Sequence, residues 1–395
     1  KALLVLPALV ITCPILQDRP FVVVWNTPTA RCQRRYGVNL NLGDFDIVEN
    51  RHQNFQGQKM TIFYRDRLGK YPYLSWGGRK VNGGLPQLGN LSAHLSLAEA
   101  QTYSLLQPNF SGLAVIDWEE WRPLWERNFD SKMEYRKLSK LLVQQERPDL
   151  SGRALNRLAK ERFEESARKF MEETLRTVVR ARPKGLWGFY GFPTCFNNYT
   201  GDCHRGTRKE NDRLSWLWSR STALYPSIYL PPRLAGSADA ALMVRYREFR
   251  RRSVYKQYTP TTQTVYTSTI RSRMTRLSNN LLHTLGESAS LGAAGVVLWG
   301  ELKFAKSKVC TLMHEVIYVG YVRVYTHHCS HQLCHSNGRC IRRHPSSGHM
   351  VCSGPAQTSD PQHASGGRPF HSHFKCQCYP GWTGQECPTG TLTEY

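Results

Sequence analysis

The run Gly112-Leu-Ala-Val-Ile-Asp-Trp-Glu-Glu-Trp121 constrains the fold of this chain more than any other stretch. Small and branched apolar residues in an unbroken series suit a strand buried on both faces, and such strands belong to parallel sheets covered by helices. The run then stops abruptly in acids and tryptophans. In parallel α/β folds that end of a strand is where chemistry is placed. Alternation along the strand puts Leu113, Val115, Asp117 and Glu119 on one face and Ala114, Ile116 and Trp118 on the other, with the two carboxylates about 7 Å apart by the usual rise. Acids crowded beside aromatics cannot all ionise cheaply, so at least one should keep its proton to higher pH and suit general acid work. A strand running out into a solvated acidic loop would also read D-x-E, and the rest of the chain has to separate the two.

Other segments repeat the pattern. Pro20–Asn26 and Met60–Tyr64 read as buried strands ending in aromatic or polar residues, and Ala293–Trp299 as the last of the series. Between them, Phe163, Ala167, Phe170, Met171, Leu175 and Val178 recur at helical spacing, a stripe of core rather than a cofactor box. Arg182-Pro-Lys-Gly ends that helix, Leu186–Phe192 returns as strand and turn, and a helical stretch near Leu214–Leu224 leads into Tyr225–Leu230. Strands alternating with helices predict an α/β fold, a (β/α) barrel over 18–312, and about 290 residues is an ordinary size for one. Arg245–Arg276 fits the scheme badly. It is dense in Arg, Thr and Ser, a central strand is hard to find in it, and the simplest reading is a solvated basic face.

The chain has 395 residues, and 53 Lys and Arg against 30 Asp and Glu give a net charge of +23. Such an excess favours a polyanionic partner: nucleic acid, anionic lipid or an acidic polysaccharide. No helix-turn-helix, RNA-recognition or zinc-finger spacing is present, which argues against nucleic acid. Twelve cysteines and the N-glycosylation acceptors Asn90, Asn109 and Asn198 point to the secretory pathway and an extracellular, cell-surface or lysosomal destination. The apolar run within 1–17 is too short to span a bilayer and reads as a signal-peptide remnant, with Cys13 unpaired or removed. No transmembrane segment is visible, so membrane association would be peripheral or through an anchor. A monomer is expected.

After Cys310 the composition changes. Cys329, Cys334, Cys340, Cys376, Cys378 and Cys387 form a frame that closes with Cys-x-Cys and a Gly-aromatic-x-Gly turn. This frame, within 325–390, resembles an epidermal-growth-factor-like module. A zinc site is the competing reading, disfavoured by the Cys-x-Cys pair and the secretory setting. The resemblance implies the pairs Cys329–Cys340, Cys334–Cys376 and Cys378–Cys387, and leaves Cys352 over.

Several segments resemble the vertebrate hyaluronidases, glycoside hydrolases that cut hyaluronan. They are Arg19-Pro-Phe-Val-Val-Val-Trp-Asn, Met60-Thr-Ile-Phe-Tyr-Arg-Asp-Arg-Leu-Gly, Gly112–Pro123, Leu186-Trp-Gly-Phe-Tyr-Gly-Phe-Pro, Ala223-Leu-Tyr-Pro-Ser-Ile-Tyr and Gly286–Trp299. The resemblance implies a TIM-like barrel of seven or eight units and substrate-assisted retaining hydrolysis without metal or cofactor, with hyaluronan, and chondroitin as a second polymer, for substrate. By motif, Glu119 is the acid and base, and Asp117 holds the substrate's acetamide. Tyr64, Tyr190, Ser227, Tyr229, Arg247 and Trp299 line the cleft. Cys32 pairs with Cys310, and Cys195 with Cys203. Three departures stand out: Thr194 replaces the family's aspartate, the Cys195–Cys203 loop is short, and the segment after Arg247 is short and basic. They motivate a second reading, a hyaluronan-binding or cell-surface interaction protein with little turnover.

Overall fold

The computed structural model describes residues 16, 19–27, 29–37, 41–195, 203–234, 236–247, 263–269, 282–300, 316–351 and 370–390. Strands β1 (Val22–Asn26), β2 (Val48–Glu49), β3 (Met60–Tyr64), β4 (Leu113–Asp117), β5 (Leu186–Phe189), β6 (Ala223–Leu224), β7 (Gln263–Thr269) and β8 (Gly295–Trp299) pair in parallel. They form a five-stranded sheet, β2-β1-β8-β7-β6, and a three-stranded one, β3-β4-β5.

Two joints close the sheets into a ring. A parallel bridge between Tyr190 and Tyr225 ties β5 to β6, and Thr222 N donates to Trp187 O at 2.9 Å beside it. Between β2 and β3 a side chain stands in for the ladder: Asn50 Oδ1 accepts from Met60 N at 3.1 Å while Asn50 Nδ2 donates to Met60 O at 2.8 Å. Order around the ring equals order along the chain, which makes this a (β/α) barrel of eight strands.

One strand was not legible in the sequence. The basic segment expected to be a solvated face contains β7, which sits between β6 and β8, with Gly295 opposite Val265 and Trp299 opposite Thr269. Gln-Thr-Val-Tyr-Thr-Ser-Thr is rich in β-branched and aromatic residues, but hydroxyls hide it from a search for apolar runs. Two basic side chains of that segment, Arg245 and Arg247, are partly buried and held by partners elsewhere in the sequence. Residues 248–262 and 270–281 lie outside the described residues, as do Cys13, Asn198, Cys310 and Cys352.

Alternation along the strands divides the core. Val22, Val24, Met60, Ile62, Leu113, Val115, Leu186 and Val297 fill the barrel interior. Phe63, Ala114, Ile116, Trp187 and Phe189 face outward onto the long helix Gly152–Ala181, meeting its buried stripe Phe163, Ala167, Phe170, Met171, Leu175 and Val178. That helix stops at Arg182, where Pro183 pushes the preceding residue out of helical geometry. A third cluster joins Phe21, Val23, Trp25, Val296 and Leu298 on the outside of the barrel to Val322, Leu333, Cys340 and Phe374.

Those last residues belong to the C-terminal part. The helix Val316–Cys334 runs through the boundary expected at 325 and carries Cys329 and Cys334, so the first cysteines of the frame are helical. Strand β9 (Gly338–Arg342) pairs antiparallel with β10 (Phe374–Cys378). Disulfides join Cys329 to Cys340, Cys334 to Cys376 and Cys378 to Cys387, which leaves none of the six thiols for zinc. Cys195 is bonded to Cys203, and Cys32 is disulfide-bonded. Among the described residues no helix is long and apolar enough to cross a membrane.

The packing between β5 and β6 is tight enough to test. A methyl group added at Gly188 would lie 2.0 Å from the Ala223 carbonyl oxygen, which is ladder backbone and cannot step aside. Gly188→Ala should therefore lower stability by about 1–3 kcal/mol in a denaturant titration. Gly77→Ala, with nothing within 4 Å, should leave the midpoint unchanged.

Candidate active site

The interior face of each strand continues to the carboxyl-terminal mouth of the barrel, where apolar residues give way to polar and aromatic ones. Met60 and Ile62 are followed on that face by Tyr64, Leu113 and Val115 by Asp117, Val22 and Val24 by Asn26, and Val297 by Trp299. Register sets them side by side, Tyr64 opposite Asp117 and Asn26 opposite Trp299. The Trp299 indole donates a hydrogen bond to the Tyr64 hydroxyl. Tyr190, next on the inner face after Leu186 and Gly188, shares hydrogen bonds with Ser227 and Tyr229, and its ring lies 6.2 Å from that of Tyr229. Arg247 donates from Nη1 to the Ser227 carbonyl at 2.6 Å.

Three neighbouring acids have three different surroundings. Asp117 has its Oδ1 buried without a hydrogen-bond partner among the described residues. Burial first, and then the charges of Glu119 and Glu120, push its carboxyl up to about 7, against a smaller opposing pull from Arg122. Glu119 lies beyond the end of β4 with its side chain 54% exposed and Arg122 Nη2 3.3 Å from its Oε1. Glu120 turns away to an ion pair with Arg65 at 2.5 Å.

The tryptophans of this stretch support rather than line the mouth. Trp118 stacks on Tyr71 at 4.4 Å between ring centres, and Trp121 donates from Nε1 to Pro72 O at 2.8 Å. Both are buried, so the backbone carrying Glu119 is pinned on either side. Lys132 Nζ and Arg122 Nη1 donate to the Glu119 carbonyl at 2.6 and 3.1 Å and steady it further. These two cations escaped the sequence reading, although Arg122 lies only three residues beyond Glu119; nothing local marks Lys132. Asn26 escaped too, although a polar residue closing the apolar run Val-Val-Val-Trp-Asn is the same signal that marked Asp117. It is buried, with neither amide atom paired among the described residues.

Thr194 is partly buried, and its carbonyl accepts from Asn211 Nδ2 at 2.8 Å. Asn90 is exposed and caps the helix Leu91–Leu105 by accepting from Ala93 N at 3.0 Å, and Asn109 is exposed in a turn.

A pair of carboxyls in unlike surroundings can divide acid and base work, and a barrel mouth walled with tyrosine and tryptophan offers flat apolar faces to a sugar chain. Fold and site together define a glycoside hydrolase. The family model described as hyaluronidase, glycoside hydrolase family 56, matches residues 10–391. Human hyaluronidase-3 is 42% identical over 95% of this chain and 92% of its own length, and human hyaluronidase-1 is 41% identical over 95% and 93%. Bee venom hyaluronidase, solved in complex with a hyaluronic acid tetramer, superposes with a TM-score of 0.68 at 31% identity, covering 76% of this chain and 98% of that one. The chain belongs to the hyaluronidase family.

The raised Asp117 carboxyl makes a stability prediction. A folded-state value near 7 against an ordinary 3.8 means that the folded protein holds this proton more tightly than the unfolded chain. The stability this contributes is complete below about pH 3.8 and is lost as pH rises through about 7. Asp117→Asn should therefore unfold like the parent near pH 4 but be more stable by about 2–4 kcal/mol at pH 8. Equal stability at pH 8 would show that Asp117 ionises without penalty.

Proposed function

We propose that this chain cuts hyaluronan within the polymer, at the β-1,4 bond following N-acetylglucosamine, with the sugar's own acetamide as nucleophile. The observation that carries this reading is the pairing of Asp117, buried with an unpartnered oxygen, with Glu119, exposed and held from behind. Glu119 protonates the glycosidic oxygen as its bond to the anomeric carbon breaks. The acetamide oxygen bonds that carbon from the opposite side, and positive charge spreads over the ring that forms. The carboxylate form of Asp117, its proton given up to solvent as substrate binds, accepts the acetamide N–H and stabilises the growing positive charge. Glu119, now a carboxylate, takes a proton from water, which attacks the anomeric carbon from the side the leaving group vacated, breaks its bond to the acetamide oxygen and restores the original configuration. No protein nucleophile is required.

Tyr64, Tyr190, Tyr229 and Trp299 supply stacking faces and hydroxyls for the sugar rings, Ser227 orients Tyr190, and Arg247 receives a uronate carboxylate. The disulfides are those of an oxidising compartment, so we place the protein outside the cytosol, secreted, held at the cell surface or lysosomal. Asn90 and Asn109 are exposed where glycans would need them.

The unmutated protein should release new reducing ends from purified hyaluronan, and binding without new ends would favour an interaction protein instead. Glu119→Gln should cut turnover by about 10²–10⁴-fold while polymer binding stays within a few-fold, since the amide keeps the shape without the proton. Turnover within tenfold of the parent would remove Glu119 from the acid role. Binding should also weaken with salt. Affinity that hardly changes between about 0.05 and 0.5 M NaCl would mean that stacking, not charge, holds the polymer.

A further inference from the structure

The C-terminal part of the chain reaches the cleft through one buried carboxylate. Glu287 opens the short helix Glu287–Ser290 that leads into β8, and it is 0% exposed. Arg342, at the end of β9 and likewise 0% exposed, grips it with both arms, Nη1 to Oε1 at 2.9 Å and Nη2 to Oε2 at 2.8 Å. Arg245 donates to the same carboxylate, Nε to Oε1 at 2.7 Å. Apolar side chains of similar volume generally fill such a space with no loss of stability. What a forked guanidinium–carboxylate contact adds is direction, since two parallel hydrogen bonds set angle as well as distance.

Direction matters because Arg245 and Arg247 share the helix 239–247. Residues two apart on a helix point about 200° from one another, so this helix offers one arginine to each side. Arg245 faces Glu287, and its Nη1 also donates to Ser346 O at 3.3 Å. Arg247 faces the cleft and donates to the carbonyl of Ser227, whose hydroxyl meets Tyr190. The loop that holds the far side is itself organised by the same cluster. Arg342 donates to the carbonyls of Pro345 and His349, and Val351 N donates to Ser290 Oγ at 2.8 Å.

We infer that Arg342 and Arg245 are positioning residues for Arg247: the Glu287 carboxylate, clamped by β9 of the C-terminal part, sets the rotation of helix 239–247 and so the place where the Arg247 guanidinium meets an acidic sugar. The inference rests on the reading of Arg247 as a uronate-binding cation. The C-terminal part is then a component of the substrate site without touching substrate.

A double-mutant cycle on the full-length chain, read as KM and kcat on hyaluronan, tests this. Arg342→Met leaves Glu287 paired one-to-one with Arg245, so the charge cluster stays balanced. It should raise KM about tenfold with kcat within about twofold, and Arg247→Ala should do the same. The combined variant should be no worse than Arg247→Ala alone, because both changes remove one contact. Arg342→Lys, which keeps charge without the fork, should recover only part of the loss. Effects that multiply in the double variant, or an unchanged KM in a folded Arg342→Met protein while Arg247→Ala raises it, would overturn the relay and leave the role of Arg247 standing. An unchanged KM in Arg247→Ala would remove the reading of Arg247 and the relay with it. Should Arg342→Met fail to fold, Arg245→Met, with a side chain at the edge of the cluster, enters the same cycle.

Discussion

The closure of the ring by β1 against β8 governs the rest of the structure. With Val22 opposite Gly295 and Asn26 opposite Trp299, the register of the first and last strands is locked, and every inward-facing residue falls into a layer. A slip of β4 by one residue against β3 would likewise turn Asp117 outward and bring Trp118 to the inner face, because strand side chains alternate with a period of two. The side-chain joint at Asn50 serves the same end where the ladder lapses. Asn50 offers a donor and an acceptor from one amide, which lets a two-residue strand neighbour β3 without leaving Met60 unpaired.

The mouth inherits its chemistry from this closure. Three acids within a few residues would repel one another equally in water, but here each meets a different surface. Arg65 neutralises Glu120, solvent reaches Glu119, and Asp117 is left with burial and the charges of its neighbours. Their unlike surroundings follow from where the strand ends, not from any difference in their own chemistry. The buried Trp118 and Trp121 keep that end from moving, since each is packed against aromatic neighbours of the loop that follows β3.

The C-terminal part shares a core with the outside of the barrel. Val296 and Leu298 of β8 pack in one cluster with Val322, Leu333 and Phe374, so the strand that carries Trp299 is buried on its outer side by the C-terminal part. Apolar burial there is non-directional and would tolerate sliding. The Arg342–Glu287–Arg245 cluster supplies the directional contact that apolar packing lacks.

Much of this was readable in the chain itself. Local periodicity is carried by neighbours in sequence, so the strands ending at Asn26, Tyr64, Asp117 and Trp299, the core stripe from Phe163 to Val178, and the stop before Pro183 all declared themselves. The stretch from Gly112 to Trp121 marked, for the same reason, the strand end that carries the proposed acid pair. What the sequence could not determine were properties that arise between distant residues. β7 is polar in composition and becomes a central strand only because β6 and β8 flank it. The displaced protonation of Asp117 needs burial as well as Glu119 and Glu120. The bonding of Asn50 to Met60 and of Arg245 and Arg342 to Glu287 depends on partners that the tertiary structure brings together. Burial and charge pairing act through space, so their strength was decided only when the tertiary structure set the distances.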